Sequence, residues 1–208
     1  MESMSLQVVD HPLAAHLVTG LRSFDTEPEY FRRMAHTLST ILILEATRDL
    51  DLENVGVQTP IEWTQSPRLV QGLAVVPVLR AGLSMLESAL ALFPDVAVGY
   101  IGLERHHESA VANSYYSKLP DLSGRTVLCV DPMLATGGSA SQALSLLKAR
   151  GAVTPRLVSV IAAPEGVQRV AEDHPDVAII VAVVDRSLNA QKYIVPGLGD
   201  YGDRLYGT

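Results

Sequence analysis

Apolar runs alternate with helical patterns along most of the chain. Apolar runs that predict buried strands lie at residues 73–79, 96–103, 125–130, 156–162 and 177–184. Apolar residues recur at helical intervals between them, at residues 83–93, 139–150 and 165–173. This alternation predicts an α/β fold, in which a parallel sheet carries helices on both of its faces.

The N-terminal region predicts a further helix after a short arm. Thr26 and Glu29 have the spacing of a capping box, in which two side chains cap the start of a helix reciprocally. Apolar residues then recur at helical intervals, at Phe31, Met34, Leu38, Ile41, Leu42 and Leu44. Because no linker, repeat or low-complexity tract divides the 208 residues, we expect a single domain over residues 1–208.

Composition excludes several classes of protein. A net charge of −7 argues against a nucleic-acid-binding surface, and no apolar run reaches the roughly 20 residues that span a membrane. The first ten residues lack the pattern of a signal peptide, and the lone Cys129 cannot form an internal disulfide. We therefore expect a cytoplasmic protein. An anionic substrate would need a local positive site, for which Arg80 and Arg105 are the candidates.

The segment that follows the strand at 125–130 carries the most chemistry. The strand ends at Asp131, whose carboxylate can accept hydrogen bonds from sugar hydroxyls. Thr136-Gly137-Gly138-Ser139 then leads into a helix, with Ser139 as the predicted N-cap, and the N-terminus of a helix suits a phosphate. A ligand with a ribose and a phosphate is therefore expected. An ordinary strand–loop–helix connection is the alternative for this segment alone.

Three segments together resemble the uracil branch of the type I phosphoribosyltransferases. Residues 131–139 resemble the phosphoribosyl diphosphate loop, with Pro132 in the place of a second acidic residue. Residues 76–82 resemble the diphosphate-binding loop, and residues 193–204 resemble the uracil-binding segment. The resemblance implies a type I phosphoribosyltransferase-like parallel sheet flanked by helices, with an N-terminal helical arm. It also implies transfer of a phosphoribosyl group to N1 of uracil, giving UMP and diphosphate.

The resemblance also implies roles for particular residues. Catalysis is assigned to Arg80, Arg105, Asp131 and Asp200. Phosphoribosyl diphosphate binding is assigned to Arg80, Arg105, Asp131, Pro132, Met133, Leu134, Ala135, Thr136, Gly137, Gly138, Ser139 and Asp200. Uracil binding is assigned to Ile194, Gly199, Asp200 and Tyr201. Asp200 either contacts the ribose or the metal, or helps to deprotonate N1, and the sequence leaves this open.

Cofactor and partners follow from the same resemblance. Mg²⁺ is expected to arrive with the diphosphate, without a metal site of the protein's own. The substrates are uracil and phosphoribosyl diphosphate, GTP is implied as an effector, and a homodimer or higher homo-oligomer is expected. Tyr201 is bulkier than the small residue common in bacterial relatives. Uracil specificity is kept if only its backbone contacts the base, whereas the pocket differs if its ring points inward.

Residues 104–120 form a long polar connection between two predicted strands. The resemblance implies a projecting flap or β-arm here, which covers the active site and contributes to dimer contacts. Glu104 and residues 109–112 depart from the family pattern. His106 and His107 do not predict a metal site, because adjacent side chains of an extended chain point to opposite sides.

Two other functions fit parts of the sequence. A pyrimidine-responsive RNA-binding attenuation regulator can share this fold, but it requires a basic surface that an acidic chain does not favour. A catalytically silent nucleotide-binding or dimerisation module is the second alternative. The intact motif residues Arg80, Asp131 and Asp200 argue against it.

Overall fold

The computed structural model describes residues 6–105 and 112–208, which form thirteen strands and six helices. The strands are β1 (Leu6–Val8), β2 (Leu52–Gln58), β3 (Trp63–Leu69), β4 (Leu73–Leu79), β5 (Ala97–Val98), β6 (Tyr100–Arg105), β7 (Ala112–Lys118), β8 (Thr126–Val130), β9 (Met133–Leu134), β10 (Arg156–Ala162), β11 (Ala178–Val184), β12 (Ser187–Leu188) and β13 (Ile194–Val195). The helices are α1 (Pro12–Arg22), α2 (Pro28–Ala46), α3 (Leu83–Leu92), α4 (Gly138–Ala149), α5 (Pro164–Asp173) and α6 (Tyr201–Tyr206).

A nine-stranded sheet forms the centre of the molecule. Its strand order is β1-β11-β10-β8-β4-β6-β7, and β5 and β9 pair with β4 and β10. Every pair is parallel except β6 with β7, which is antiparallel. The predicted parallel sheet is therefore confirmed. The run predicted as one strand at 96–103 is divided into β5 and β6 at Gly99, whose N–H donates to the carbonyl of Val75 over 3.1 Å.

Helices cover both faces of the sheet, as predicted. Alternate residues of β4 enter two separate cores, with Leu73 and Val75 in one and Ala74 and Val76 in the other. Helices α1, α2, α3 and α6 pack in the first core, whereas α4 and α5 pack in the second. Since successive side chains of a strand point to opposite faces, a continuous apolar run is what a strand buried on both sides requires.

The N-terminal region agrees with the implied helical arm and differs from the prediction in one respect. The arm contains α1, whose buried residues Ala14, Leu17, Val18 and Leu21 have helical spacing. The predicted capping box at Thr26 is wrong, because the N-cap of α2 is Glu27 and no side chain caps that helix. The Thr26 hydroxyl instead donates to the carbonyl of Gly20 over 2.7 Å, so it joins α1 to the turn before α2.

Strands β2 and β3 form an antiparallel hairpin that the sequence did not predict. Its residues are mostly exposed on both faces, so they show no alternation of apolar and polar positions. Large apolar side chains are nevertheless exposed along it, including Leu52, Ile61 and Trp63. Within the described residues, no helix combines the length and apolar character needed to cross a membrane.

One buried hydroxyl lies in the centre of β10. Ser159 is fully buried, and its Oγ has no hydrogen-bond partner among the described residues. Ser88, also fully buried, donates instead to the carbonyl of His36 over 2.9 Å and so joins α3 to α2. A buried hydroxyl without a partner keeps its desolvation cost, whereas a paired one recovers it.

We therefore predict different effects on the free energy of unfolding for two serine-to-alanine substitutions. Ser159→Ala should leave the free energy of unfolding unchanged or raise it by up to about 1 kcal/mol, because no hydrogen bond is lost. Ser88→Ala should lower it by about 1–2 kcal/mol, because the contact between α2 and α3 loses a hydrogen bond. Urea denaturation of both variants measures the difference, and a larger loss for Ser159→Ala than for Ser88→Ala would contradict it.

Candidate active site

The carboxyl ends of neighbouring parallel strands meet at one cleft. Arg80 directly follows β4 and Asp131 directly follows β8, and the two strands are paired. Open α/β sheets bind ligands beyond the carboxyl ends of their strands. The cleft has a volume of about 390 Å³. Its lining residues are Arg80, Ala81, Asp131, Met133, Ala135, Gln191, Lys192, Tyr193, Ile194, Gly199, Asp200, Tyr201 and Gly202.

The segment after β8 divides its residues between the cleft and the core. Asp131, Met133 and Ala135 line the cleft, whereas Pro132 and Leu134 are buried behind it. The carbonyl of Pro132 accepts hydrogen bonds from the N–H groups of Val160 and Ile161, at 3.0 and 3.1 Å. Pro132 and Leu134 therefore fix the backbone to β10 and leave the alternate residues facing the cleft. The Asp131 carboxylate accepts a hydrogen bond from the N–H of Met133 over 3.4 Å.

Thr136 to Ser139 form the turn into α4. The N-cap is Gly137, so the prediction of Ser139 as the N-cap is wrong, and Ser139 lies in the first turn of the helix. Gly137 has a φ of +78°, and a Cβ there would lie 2.8 Å from the carbonyl oxygen of Gly166 in α5. Glycine is therefore required by both conformation and space. The N–H groups of the first turn of α4 have no acceptor within the helix, so they suit a phosphate.

The loop after β4 passes very close to β8. A Cβ on Gly82 would lie 2.5 Å from the carbonyl oxygen of Val130 and 2.6 Å from that of Val78. Only glycine allows this approach, because all of these contacts are with backbone. The peptide bond between Leu79 and Arg80 is cis, and the carbonyl of Arg80 accepts a hydrogen bond from the Tyr206 hydroxyl over 3.4 Å. The loop thereby brings Arg80 to the same cleft as Asp131.

The C-terminal segment forms the other wall of the cleft. Ile194, Gly199, Asp200 and Tyr201, the residues predicted to bind uracil, all line it. The Asp200 carboxylate caps α6 by accepting a hydrogen bond from the N–H of Asp203 over 3.0 Å. One carboxylate oxygen of Asp200 therefore has a structural role.

The ring of Tyr201 lies in the core. It is 1% exposed and packs edge-on against Phe31, with ring centroids 5.1 Å apart. Its hydroxyl accepts a hydrogen bond from Ser84 over 3.3 Å, and burial raises the pKa of Tyr201 to about 12. The bulk of Tyr201 thus fills space between α2 and α3 rather than the cleft.

Asp185, which directly follows β11 at the same edge of the sheet, makes a structural ion pair. Arg22 donates to both of its carboxylate oxygens, at 2.8 and 2.5 Å, and the N–H of Gly197 donates to it over 2.8 Å. Burial opposes ionisation of Asp185, but these hydrogen bonds outweigh it and hold the pKa of the carboxyl below its usual value.

Lys192 is a cleft residue that sequence reasoning missed. Its φ is +66°, and among the described residues it is the only residue other than glycine with a positive φ. The Asn189 side chain accepts from the N–H groups of Gln191 and Tyr193, at 3.0 and 2.9 Å, and so fixes the turn that carries Lys192. Asn at the start of a short polar run was the available signal for such a turn.

Arg105 is the last residue of β6, and β7 returns antiparallel beside it. Residues 112–118, predicted within the long polar connection, therefore form a strand, as a β-arm requires. The other part of that connection, residues 106–111, lies outside the described residues, and so do the predictions made for it.

The volume of a cleft does not by itself identify the candidate active site. A cleft of about 550 Å³ lies at the opposite edge of the sheet, between the end of α2 and the starts of β10 and β11. Its cations are paired, Arg48 with Glu45 and Arg156 with Asp49. The smaller cleft is lined by residues from each of the three sequence motifs. In the described parts of the chain, no group of three or more His, Cys, Asp or Glu side chains could hold a metal ion.

Comparison with known proteins assigns the family. The model of the family described as uracil phosphoribosyltransferase matches residues 8–208. A uracil phosphoribosyltransferase from Thermus thermophilus is 50% identical over 208 residues, which cover 99% of this chain and all of that protein. One from Exiguobacterium sibiricum is 47% identical over 98% of both chains. The chain belongs to the uracil phosphoribosyltransferase family. It is therefore an enzyme of the transferase class.

Solved structures agree with this assignment. A protein of Aquifex aeolicus superposes on the chain with a TM-score of 0.92, at 42% identity and over 98% of both chains. A hypoxanthine-guanine phosphoribosyltransferase from Bacillus anthracis superposes with a TM-score of 0.52 at 11% identity, over 76% of this chain and 80% of that one. The second comparison shows the phosphoribosyltransferase fold alone.

The close contact at Gly82 leads to a prediction for this uracil phosphoribosyltransferase. Gly82→Ala should lower transferase turnover about 100-fold or more, since a displacement of about 1 Å between Arg80 and Asp131 is enough for such a loss. Gly56→Ala serves as the control, because its nearest atom would be 3.5 Å away, on the exposed hairpin. Turnover is measured on folded protein, verified by circular dichroism. Equal turnover of the two variants would contradict the importance of the contact.

Proposed function

We propose that the chain transfers the phosphoribosyl group of phosphoribosyl diphosphate to N1 of uracil. The observation that carries the proposal is the single cleft in which Arg80 and Asp131, from the strand ends, face the C-terminal segment. In the reaction the bond between C1′ and the diphosphate oxygen breaks, and a bond from N1 of uracil to C1′ forms. The N1 proton leaves, and the products are UMP and diphosphate.

Charge in the cleft fits an anionic leaving group. Negative charge grows on the diphosphate as the bond to C1′ breaks, and fixed cations stabilise it. Arg80 and Lys192 are the cations among the described lining residues. They give a chain of net charge −7 a local positive site. Arg105 is proposed to act on the same charge from the end of β6.

The segment after β8 fits the phosphoribosyl half of the substrate. Asp131 is proposed to accept hydrogen bonds from the ribose hydroxyls, with Met133 and Ala135 beside it in the cleft. The 5′-phosphate is proposed to lie at the N-terminus of α4, where Thr136 to Ser139 offer hydroxyl and backbone N–H donors. Asp200 faces the same cleft and is proposed to contact the ribose or to help remove the N1 proton.

The C-terminal wall fits a planar base that is read by main-chain groups. Uracil offers two carbonyl acceptors and two ring N–H donors, and the main-chain groups of Ile194, Gly199 and Tyr201, which line the cleft, are proposed to pair with them. Cytosine carries an amino group where uracil has a carbonyl, so it would leave a buried donor unpaired, at a cost of about 1–3 kcal/mol. Because the ring of Tyr201 lies in the core, its bulk does not oppose uracil.

Mg²⁺ is the proposed cofactor. It takes oxygen ligands and usually keeps several waters, with one or two carboxylates and the phosphates of the substrate. The described part of the cleft fits this ligand set, since it offers the carboxylates of Asp131 and Asp200. When bound with the diphosphate, Mg²⁺ would neutralise charge on the leaving group.

Assembly, regulation and location are also proposals. A homodimer or higher homo-oligomer is supported by the exposed Ile61 and Trp63 of the β2–β3 hairpin, since large exposed apolar patches mark protein interfaces. A cytoplasmic location is supported by the lone Cys129, a free and buried thiol, because disulfides are typical of secreted proteins and rare in the cytosol. GTP as an effector rests on the family resemblance, and no cleft of the described residues identifies a site for it.

A panel of nucleobases tests the proposed reaction. With phosphoribosyl diphosphate and Mg²⁺, uracil should release diphosphate and give UMP, whereas cytosine should react at least about tenfold more slowly because of its unpaired donor. Chelation of Mg²⁺ should abolish release, and added Mg²⁺ should restore it. Diphosphate is measured by a coupled assay and UMP by chromatography. Absence of uracil-dependent diphosphate release would overturn the proposal.

Two substitutions test the roles at the strand ends. Arg80→Ala and Asp131→Asn should each lower turnover about 100- to 1,000-fold while the fold is kept. Arg68→Ala, on the exposed β2–β3 hairpin, is the control for Arg80→Ala. Asp121→Asn is the control for the second, because Asp121 also accepts a hydrogen bond from the N–H two residues on, over 3.0 Å. Near-native turnover of Asp131→Asn would show that the ribose contact is wrongly assigned.

A further inference from the structure

The last turn of α1 contacts the C-terminal wall of the cleft. Arg22, the final residue of α1, donates to the two carboxylate oxygens of Asp185 and to the carbonyl of Gly197 over 2.8 Å. A guanidinium that binds a carboxylate through two nitrogens fixes direction as well as distance. The N-terminal helix is therefore joined to a backbone position between Ile194 and Gly199.

Both polar backbone groups of Gly197 are held by the same ion pair. Its carbonyl accepts from Arg22, and its N–H donates to Asp185 over 2.8 Å. The side chain of Asp185 is only 4% exposed, so water competes little for these bonds. Gly197 has a φ of +65°, and a Cβ there would lie 2.1 Å from the carbonyl oxygen of Ile194. The turn between Ile194 and Gly199 is thus fixed from both sides.

A second arginine strengthens the same connection from the opposite direction. Arg204 of α6 donates to the carbonyl of Leu198 over 2.8 Å and to the carbonyls of Leu21 and Ser23. Its guanidinium also lies 4.7 Å from the centroid of the Phe31 ring. The residues on either side of Arg22 are therefore bound to the C-terminal segment as well, and the end of α1 and this segment form one unit.

We propose that Arg22 and Asp185 are positioning residues for uracil recognition, an inference that rests on the proposed function. Neither residue lines the cleft; they act through Gly197, two residues before Gly199, which does line it. Main-chain donors and acceptors recognise a base only if the backbone is held within a fraction of an ångström. The ion pair supplies that constraint from outside the cleft. It should therefore affect uracil more than phosphoribosyl diphosphate, since the proposed contacts of Arg80, Asp131 and the N-terminus of α4 with the latter lie on the opposite wall.

Substitution of either partner tests the proposal. In Asp185→Asn and in Arg22→Gln, the KM for uracil should rise about tenfold or more, the effect of about one lost hydrogen bond, while the KM for phosphoribosyl diphosphate stays within about twofold. Arg22→Lys keeps the charge but loses the two-nitrogen contact with the carboxylate. Its KM for uracil should therefore lie between that of Arg22→Gln and that of the unsubstituted protein. The control is Asp49→Asn, because Arg156 binds Asp49 and the carbonyl of Ala46 in the same way at the opposite edge of the sheet.

Hydrogen exchange gives a readout that does not depend on activity. In Asp185→Asn and Arg22→Gln, the amides of residues 197–200 should exchange faster, with the amides of β4 and β8 unchanged. Asp49→Asn should leave both regions unchanged. Unaltered amide exchange in residues 197–200, or equal changes in the KM values for uracil and for phosphoribosyl diphosphate, would overturn the inference. Absence of uracil-dependent turnover in the unsubstituted protein would instead overturn the proposed function, and the exchange result would still decide whether the ion pair fixes the turn.

Discussion

The pairing of β4 with β8 is the contact on which the rest of the structure depends. Five residue pairs, from Leu73 with Thr126 to Pro77 with Val130, bring the ends of the two strands together. Gly82 then lies against the carbonyl of Val130, closer than any side chain allows. Because of this contact, Arg80 and Asp131 face one cleft although fifty residues separate them in the sequence.

The two walls of the cleft are held by different physical means. The wall that follows the strands is fixed by the sheet itself, since the carbonyl of Pro132 is bound by two N–H groups of β10. The C-terminal wall has only the short β12–β13 pair, so side chains replace the missing sheet contacts. Arg22 and Arg204 bind its carbonyls, and Tyr201 anchors it in the core beside Phe31. A backbone with little regular structure is thereby fixed in position beside the cleft.

Much of this could be predicted from sequence, for a physical reason. Strands buried on both faces are continuous apolar runs, so β4 and β10 were predicted with their observed bounds. The β2–β3 hairpin is exposed on both faces and therefore carries no such pattern. The two predicted N-caps were wrong because capping depends on contacts across the fold. The Thr26 hydroxyl donates to the carbonyl of Gly20, and the close contact with Gly166 requires glycine at position 137. The family and the fold are confirmed; the catalytic roles and the single-domain organisation stay predictions.

The ion pair between Arg22 and Asp185 could not be predicted from a sequence motif. Its position after β11 is that of a ligand-binding carboxylate, the same as that of Asp131 after β8. What separates the two is their surroundings: Arg22 reaches Asp185 from a helix 163 residues earlier in the chain, and Gly197 closes over it. Asp131 lines the cleft, whereas Asp185 is enclosed beneath the turn that shapes it. Two carboxylates at equivalent strand ends thus differ in their surroundings: Asp131 lines the cleft, and Asp185 binds the backbone of the turn beside it.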